Sequence, residues 1–399
     1  MSTVIGALDI GTQTTVLLAA EVEGEEIRLL GHAATPTYGV KKGVIRDIEQ
    51  VTGCIKRVRT ELAAKFKIDL YDVAASFSAG DIKHYERSGR KSLMDGHAIT
   101  EEDIDEAEDN AYAPADADAQ ELPLQRFKQK YEVNGQPVSN PEGMTGTELV
   151  AKVLEITAPR TALENLRTVA NRAGLHLSNI IFSGVADAEA LLPASIREEG
   201  AVILDFGAGT VDYMAICNNV VAVAGALAIG GAHLTNDLAL AFNTSQQSAE
   251  EMKLHRGAAM LQPALKNERY QLRSTFSTTD RSISVHAIQT VTTERVDETL
   301  RIIRNLLSDY GVLTHIHGGL YLTGGTANLA HITEQASNIF GLPCSGGVPY
   351  GFTDLPEAIL SAPERYSTAL GLLRNHARTL ADRDQHRSIL TRIANFFRG

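Results

Sequence analysis

The segment Ile203-Leu204-Asp205-Phe206-Gly207-Ala208-Gly209-Thr210-Val211-Asp212-Tyr213-Met214 constrains how the rest of the chain can be arranged. An apolar strand runs into a carboxylate, a turn of small residues opens backbone N–H groups, a Thr hydroxyl follows, and a second strand departs. Gly207 and Gly209, with Ala208 between them, let the backbone come close to phosphate oxygens, and Asp205 stands where it can hold a hydrated divalent cation. This is the pattern of a phosphate-binding β-hairpin. A second copy near the N-terminus, Ala7-Leu8-Asp9-Ile10-Gly11-Thr12-Gln13-Thr14-Thr15-Val16, repeats apolar-Asp-apolar-Gly. Two such hairpins facing each other would grip a polyphosphate and its metal from both sides.

Size and charge narrow the possibilities. At 399 residues, 44% of them hydrophobic, the chain exceeds what one core usually serves, so two or more domains are expected. A formal charge of −12 argues against nucleic acid as a partner, because a phosphate-backbone binder carries a basic footprint. Cys54, Cys217 and Cys344 are odd in number and scattered, which suits buried reduced thiols better than a disulfide framework or zinc site. The first apolar run has no basic leader and meets Asp9 almost at once, so no signal peptide is expected. No window approaches ~18 uninterrupted apolar residues, so no membrane-spanning segment is expected either.

Residues 4–31 read as a meander of three strands, and residues 47–67 as a helix with Ile48, Val51, Ile55, Val58 and Leu62 on one face. A strand at 73–77 closes this α/β unit. After residue 83 the composition changes: 87–91 is basic, 101–109 acidic, and 113–123 rich in Pro, Ala and Asp, which reads as an inserted module. Its acidic helix starts at a capping Thr100, and its acidic run reads as a solvated face rather than a metal site. Strands are expected at 131–133 and 149–157.

The α/β pattern returns at 159–174, with Leu163, Leu166, Val169 and Ala170 as a helical stripe, followed by a strand at 180–183 and a helix from Asp187. The 233–265 region has a helical signal, and Thr244 or Ser245 can cap a helix that presents Glu250 and Lys253 on one side. Short polar strands are expected over 266–290, then a helix from about Thr293 to Tyr310. Leu322-Thr323-Gly324-Gly325-Thr326-Ala327 is a third glycine-rich turn, where bare backbone suits an adenine or ribose, although a plain tight turn has the same signature. His315 and His317 lack a third ligand and read as a loop pair. Residues 374–385 are polar and read as leaving the globular part.

Over the last residues, a period of ~100° places Ile389, Leu390, Ile393, Phe396 and Phe397 within an arc of about 120°, with Arg387, Arg392 and Arg398 on the rest. A helix of that kind lies in the lipid headgroup boundary rather than crossing it.

Two Asp-Gly phosphate hairpins followed by a late Gly-Gly turn resemble the actin-like ATPase superfamily and, over essentially the whole chain, the FtsA family of bacterial cell-division proteins. The resemblance rests on Asp9-Ile-Gly-Thr12, on residues 205–212, and on residues 322–329 as an adenosine motif. Residues 183–191 and 366–373 match its two connecting helices, and Asn140-Pro-Glu-Gly-Met-Thr-Gly146 matches its inserted module.

The implied architecture is an α/β actin-like ATPase fold, two lobes around a nucleotide cleft, with an FtsA-type inserted subdomain and a C-terminal amphipathic helix. Its first lobe would comprise 1–82 with 164–195 and 360–376, and its insert 83–163. The second lobe would comprise 196–230 with 291–359, with an outer subdomain at 231–290, a linker at 377–385 and a membrane-targeting helix at 386–399.

The resemblance further implies ATP and Mg2+ held by Asp9, Gly11, Thr12, Gln13, Asp205, Gly207, Ala208, Gly209, Thr210, Glu250, Lys253, Gly324, Gly325 and Thr326. Asp9 and Asp205 would act on the metal through water. It also implies filaments on an anionic lipid surface at the cytoplasmic face of the cell membrane, at the division site. The implied partners are the C-terminal peptide of the tubulin-like protein FtsZ, which the chain would anchor, and other division proteins. The glutamine that positions water in actin corresponds to Glu189, implying at most slow ATP hydrolysis. Where the family carries a lysine after the first phosphate motif, this chain has Thr14, so one phosphate-facing charge is missing. Sugar kinases share the core and the two phosphate motifs, and pilus-assembly relatives share the fold, so both are alternatives.

Overall fold

The computed structural model describes residues 3–24, 26–112, 120–272 and 281–396, with side chains described as far as residue 381. Its two principal sheets repeat one design. In the first, Thr3–Ile10, Thr14–Glu23 and Glu26–Pro36 form an antiparallel meander, and Asp72–Phe77 and His176–Phe182 add in parallel beside Thr3–Ile10. In the second, Ala201–Phe206, Val211–Cys217 and Val220–Leu227 form the meander, and Leu320–Thr323 and Cys344–Gly346 add in parallel beside Ala201–Phe206. Strands buried on both faces must be apolar throughout, which is why Ala201–Phe206 is buried at every position except Asp205.

Each parallel step needs a helix to carry the chain back. Ile48–Phe66 does this in the first sheet, capped by the Asp47 carboxylate, which accepts from the Gln50 N–H, and ended by Lys67 in the left-handed region. Arg160–Arg172 serves the next step. In the second sheet the carriers are Val285–Asp309 and Ile332–Phe340.

The two lobes differ in where extra chain is inserted. Residues 83–159 leave the first lobe as an antiparallel sheet, in the order Lys83–Ser92, Glu148–Pro159, Glu121–Val133, Gln136–Val138, covered by helix Glu101–Ala111. Gly89 permits that cover, because a Cβ there would collide with the helix backbone at Ala107 and Ala111. Thr100 and Asp103 form a reciprocal capping box at the start of the helix. In the second lobe, Gly231–Phe242, Gln246–Arg256 and the two-stranded pair Arg269–Leu272 with Arg281–Ser284 form the outgrowth.

Helices Ser183–Leu191 and Ser367–Phe396 run between the lobes. They meet at Gly371, where a Cβ would collide with the carbonyl of Ala186.

Several expectations are corrected. The long helix begins at Val285, eight residues before the expected Thr293. Its first turns are rich in Thr and Val, but Thr292 loses nothing there, since its hydroxyl donates to the Ala258 carbonyl at 2.7 Å. The helical signal over 233–265 resolves into two helices and a short 3-10 turn, Pro263–Leu265. A strand already starts at Glu121, inside the stretch 113–123 rich in Pro, Ala and Asp, while 113–119 lie outside the described residues.

The polar stretch 374–385 continues the helix that starts at Ser367 rather than leaving it. Of the expected lipid-facing residues, Ile389, Leu390, Arg392, Ile393 and Phe396 fall on the part of this helix whose side chains are not described. Phe397 and Arg398 lie outside the described residues. No helix among the described residues is long and apolar enough to cross a membrane. All three cysteines are free; Cys54 is buried, Cys217 and Cys344 are half-buried, and burial pushes the Cys344 thiol up to about 12.

Candidate functional site

Both Asp-Gly segments form hairpins of the same register. Asp9 pairs with Val16 and Ile10 with Thr15, leaving Gly11, Thr12, Gln13 and Thr14 as the turn; the Gly11 N–H donates to the Thr14 carbonyl at 3.0 Å. Asp205 pairs with Asp212 and Phe206 with Val211, leaving Gly207, Ala208, Gly209 and Thr210. The turns face each other, and a Cβ at Gly209 would collide with Thr12 Oγ1. Between them a cavity of about 640 Å³ opens.

The structure brings all fourteen residues expected at the cleft into the wall of this one cavity: Asp9, Gly11, Thr12, Gln13, Asp205, Gly207, Ala208, Gly209, Thr210, Glu250, Lys253, Gly324, Gly325 and Thr326. Glu250 and Lys253 arrive on helix Gln246–Arg256, capped by Ser245. The buried Lys253 ammonium donates to Glu250 Oε2 at 2.7 Å, to Thr235 Oγ1 at 3.0 Å and to the Gly231 carbonyl at 3.2 Å. Burial works to raise the Glu250 carboxyl, but Lys253 and Thr235 together hold it below its ordinary value. Gly324, at φ +85, carries the chain from strand Leu320–Thr323 into the short helix Gly325–Asn328, and a Cβ there would strike the Asp205 carboxylate.

Glu189 is not brought to the cavity. Its carboxylate faces away, 2.6 Å from Arg378 Nη1 and 3.8 Å from Arg197 Nη1. Asp187, two residues earlier on the same helix, is fully buried and also outside the cavity wall, but within reach of the Asp205 charge. Its Oδ1 accepts from Thr368 Oγ1 at 3.0 Å, and its Oδ2 finds no partner among the described residues.

Sequence reasoning also left out Ser76 and Ser78. The Ser76 hydroxyl donates to Asp9 Oδ1 at 2.6 Å, and the Ser78 hydroxyl donates to Asp212 Oδ1 at 2.6 Å while lying 3.0 Å from Thr210 Oγ1. Two serines, two residues apart in the first lobe, thus hold one acid of each hairpin. The signal for Asp212 lay in its place opposite Asp205 in the hairpin; small hydroxyls at a strand end gave none.

The acids raise one another. Burial lifts Asp9, offset in part by the Ser76 bond, and burial followed by the Asp9 charge raises Asp205 to about 7. Asp187 and Asp212 stand well above the carboxylate range, first by burial and then by repulsion from Asp205. Carboxylates kept this close together are costly unless a cation shares them. Among the described residues, no group of three or more His, Cys, Asp or Glu side chains is arranged to enclose a metal ion. A cation here would take most of its ligands from water or a bound anion, as Mg2+ commonly does.

Two meander-and-crossover lobes, with paired phosphate-type hairpins facing across a cleft, define an actin-like protein. Solved structures agree on the fold. The PilM–PilN type IV pilus biogenesis complex matches with a TM-score of 0.62 at 15% identity, over 94% of this chain and 98% of that one. MreB5 of Spiroplasma citri bound to ADP matches with 0.55 at 15% identity, over 97% and 98%.

Sequence relatives are more specific. The family model for cell division protein FtsA matches residues 202–371, and that for the SHS2 domain inserted in FtsA matches residues 79–157. Cell division protein FtsA of Pseudomonas aeruginosa is 30% identical over 371 residues, covering 92% of this chain and 88% of that protein. The chain belongs to the FtsA family of actin-like cell-division proteins.

Proposed function

We propose that this chain binds ATP with Mg2+ in the interlobe cleft and polymerises on the cytoplasmic face of the cell membrane at the division site. There it anchors FtsZ by its C-terminal peptide and meets other division proteins. The observation that carries the reading is the single cavity onto which both Asp-Gly hairpins and the Gly324-Gly325 turn open, in a member of the FtsA family. ADP in the MreB5 neighbour supports it.

The residues fit the nucleotide. Side chains at Gly209 and Gly324 would fill the cradle, and the unshared acids around Asp205 suit a divalent ion. The turn N–H groups of residues 12, 13 and 207–210 would take phosphate oxygens. Asp9 and Asp205 would hold Mg2+ through water. Glu250 and Lys253 would take the ribose and adenine side, with Gly324, Gly325 and Thr326 beneath the adenosine. Bound Mg2+ would supply positive charge between the carboxylates and the phosphates. With Glu189 turned to Arg378, hydrolysis is expected to be slow at most.

The lobe, insert and outer-subdomain boundaries expected from the sequence belong to this reading, with 377–385 a helical connection, as does the assignment of 386–399 to the membrane. The lipid-facing set is Ile389, Leu390, Ile393, Phe396 and Phe397, with Arg392 and Arg398 toward anionic headgroups. One such helix binds lipid weakly, and a filament presenting many copies binds by avidity. The test is co-sedimentation with anionic liposomes beside ATP calorimetry. Truncation after Gln385, or Phe396→Glu with Phe397→Glu, is expected to abolish sedimentation and leave ATP binding intact. Liposome binding retained in both variants refutes the anchor, and a wild-type chain that binds no ATP refutes the cleft assignment.

A further inference from the structure

A small hairpin enters the cleft beside the two phosphate turns. Val40 pairs with Ile45 and Lys41 with Val44, which leaves Lys42 and Gly43 as its tip, at φ +53 and φ +74. A two-residue turn with both central residues in the left-handed region favours Asn-Gly or Asp-Gly. Lysine has no conformational reason to stand first in it, and its Cβ makes the left-handed backbone costly.

The tip is wedged where the hairpins meet. The Gly43 N–H donates to Thr12 Oγ1 at 3.1 Å, a Cβ at Gly43 would collide with the Ser78 carbonyl, and a Cβ at Gly209 would lie 3.0 Å from Lys42 Cα. Gly43 itself lines the cavity. Lys42 therefore sits at the rim, between the first phosphate turn and the second. Its side chain is exposed, and among the described residues its ammonium has no acidic partner.

The charge of Lys42 also reaches the far wall. His233, in the first turn of helix Gly231–Phe242, is held below its ordinary value first by burial and then by Lys42. That helix start is tied to the second phosphate turn, since the Gly231 N–H donates to the Gly207 carbonyl and the Ala232 N–H to that of Ala208.

Charge balance gives such a lysine work. The basic side chains in the cavity wall are Lys253, His255 and Arg365. Lys253 is committed to Glu250, and Arg365 follows Glu364, whose carbonyl accepts from the Gly324 N–H. The two phosphate turns themselves, residues 11–14 and 207–210, carry no basic side chain, and Thr14 supplies no charge beside Asp9. A polyphosphate placed among three acids needs more positive charge than one divalent ion brings.

We infer that Lys42, carried to the cleft by the 40–45 hairpin, is a phosphate-binding residue that contacts the terminal phosphates of the nucleotide. The inference rests on the nucleotide reading of the cleft. The test is calorimetry on the full chain with Mg-ATP, Mg-ADP and AMP. Lys42→Gly suits the left-handed backbone and removes only the side chain, Lys42→Arg keeps the charge, and Lys41→Gly is the neighbouring control.

Lys42→Gly is expected to weaken ATP about tenfold, ADP less, and AMP not at all, a charge-assisted bond to phosphate being of that size. Lys42→Arg and Lys41→Gly should stay near wild type. Unchanged ATP affinity in Lys42→Gly, or an equal loss for ATP and AMP, overturns the inference while the nucleotide reading stands. A wild-type chain that binds none of the three overturns both.

Discussion

The two Asp-bearing hairpins share register and turn length, yet opposite Asp9 stands Val16 and opposite Asp205 stands Asp212. Acids directly across a strand pair repel, so the second hairpin gives up stability that the first retains. The pair persists next to a cavity, with one serine hydroxyl on Asp212 and glycine on both sides of Ala208. The first hairpin thus works as a scaffold with one polar tooth, and the second concentrates the charge a cation must meet. Hairpins of one register and turn length divide the labour through a single facing residue.

The sharpest way to break this contrast is to remove each aspartate in turn. Asp205→Ala is expected to weaken ATP binding at least about tenfold by calorimetry, more than ~1.4 kcal/mol, with Asp9→Ala costing less. Equal losses, or a larger one at Asp9, would end the asymmetry.

A second difference shows without ligand. Folding raises the Asp205 carboxyl to about 7, above an unfolded value of about 3.9, so the folded state binds the proton more tightly. The stability this contributes is fully present below the unfolded value and is lost as pH rises through about 7. The melting temperature of the ligand-free chain should therefore fall between about pH 4 and pH 8. Asp9→Asn removes the charge that raises Asp205, and Asp212→Asn removes an acid that burial and Asp205 raise, so each should flatten that fall and raise melting at pH 8 by about 2 °C. A flat profile in the wild type contradicts it.

The smallest effect separates the two serines. Ser78→Ala cuts a tie between the lobes and should weaken ATP about threefold, whereas Ser76→Ala, acting within the first lobe, should cost less than about twofold. Calorimetry on the two variants side by side decides, and the reverse order would place the interlobe tie elsewhere.

What could be read from sequence follows from how local the constraint is. Asp-x-Gly between apolar strands declares itself because turn, glycine and acid are contiguous, and the fourteen cleft residues came from two such stretches, the Gly324-Gly325 turn and one helix face. Glu189 and Asp187 could not be separated in this way. Every residue of helix Ser183–Leu191 is buried, so no polar stripe gives its phase, and residues two apart point nearly opposite ways. The start of the long helix was hidden by Thr and Val, whose weak helix preference yields to tertiary bonds such as that of Thr292 with Ala258. Lys42 escaped notice because its role depends on where a distant hairpin lands.

The contact of Gly371 with the Ala186 carbonyl has a mechanical consequence. Backbone against side-chain-free backbone leaves nothing to compress, so the crossing acts as a fulcrum. Ser367 lies four residues to one side and residue 381 ten to the other, arms of about 6 and 15 Å at helical rise. A displacement of ~1 Å at the cleft end thus becomes about 2.5 Å at residue 381. The Arg378–Glu189 pair and the Arg374 bond to the Tyr350 carbonyl sit on the long arm, where they act as its stops.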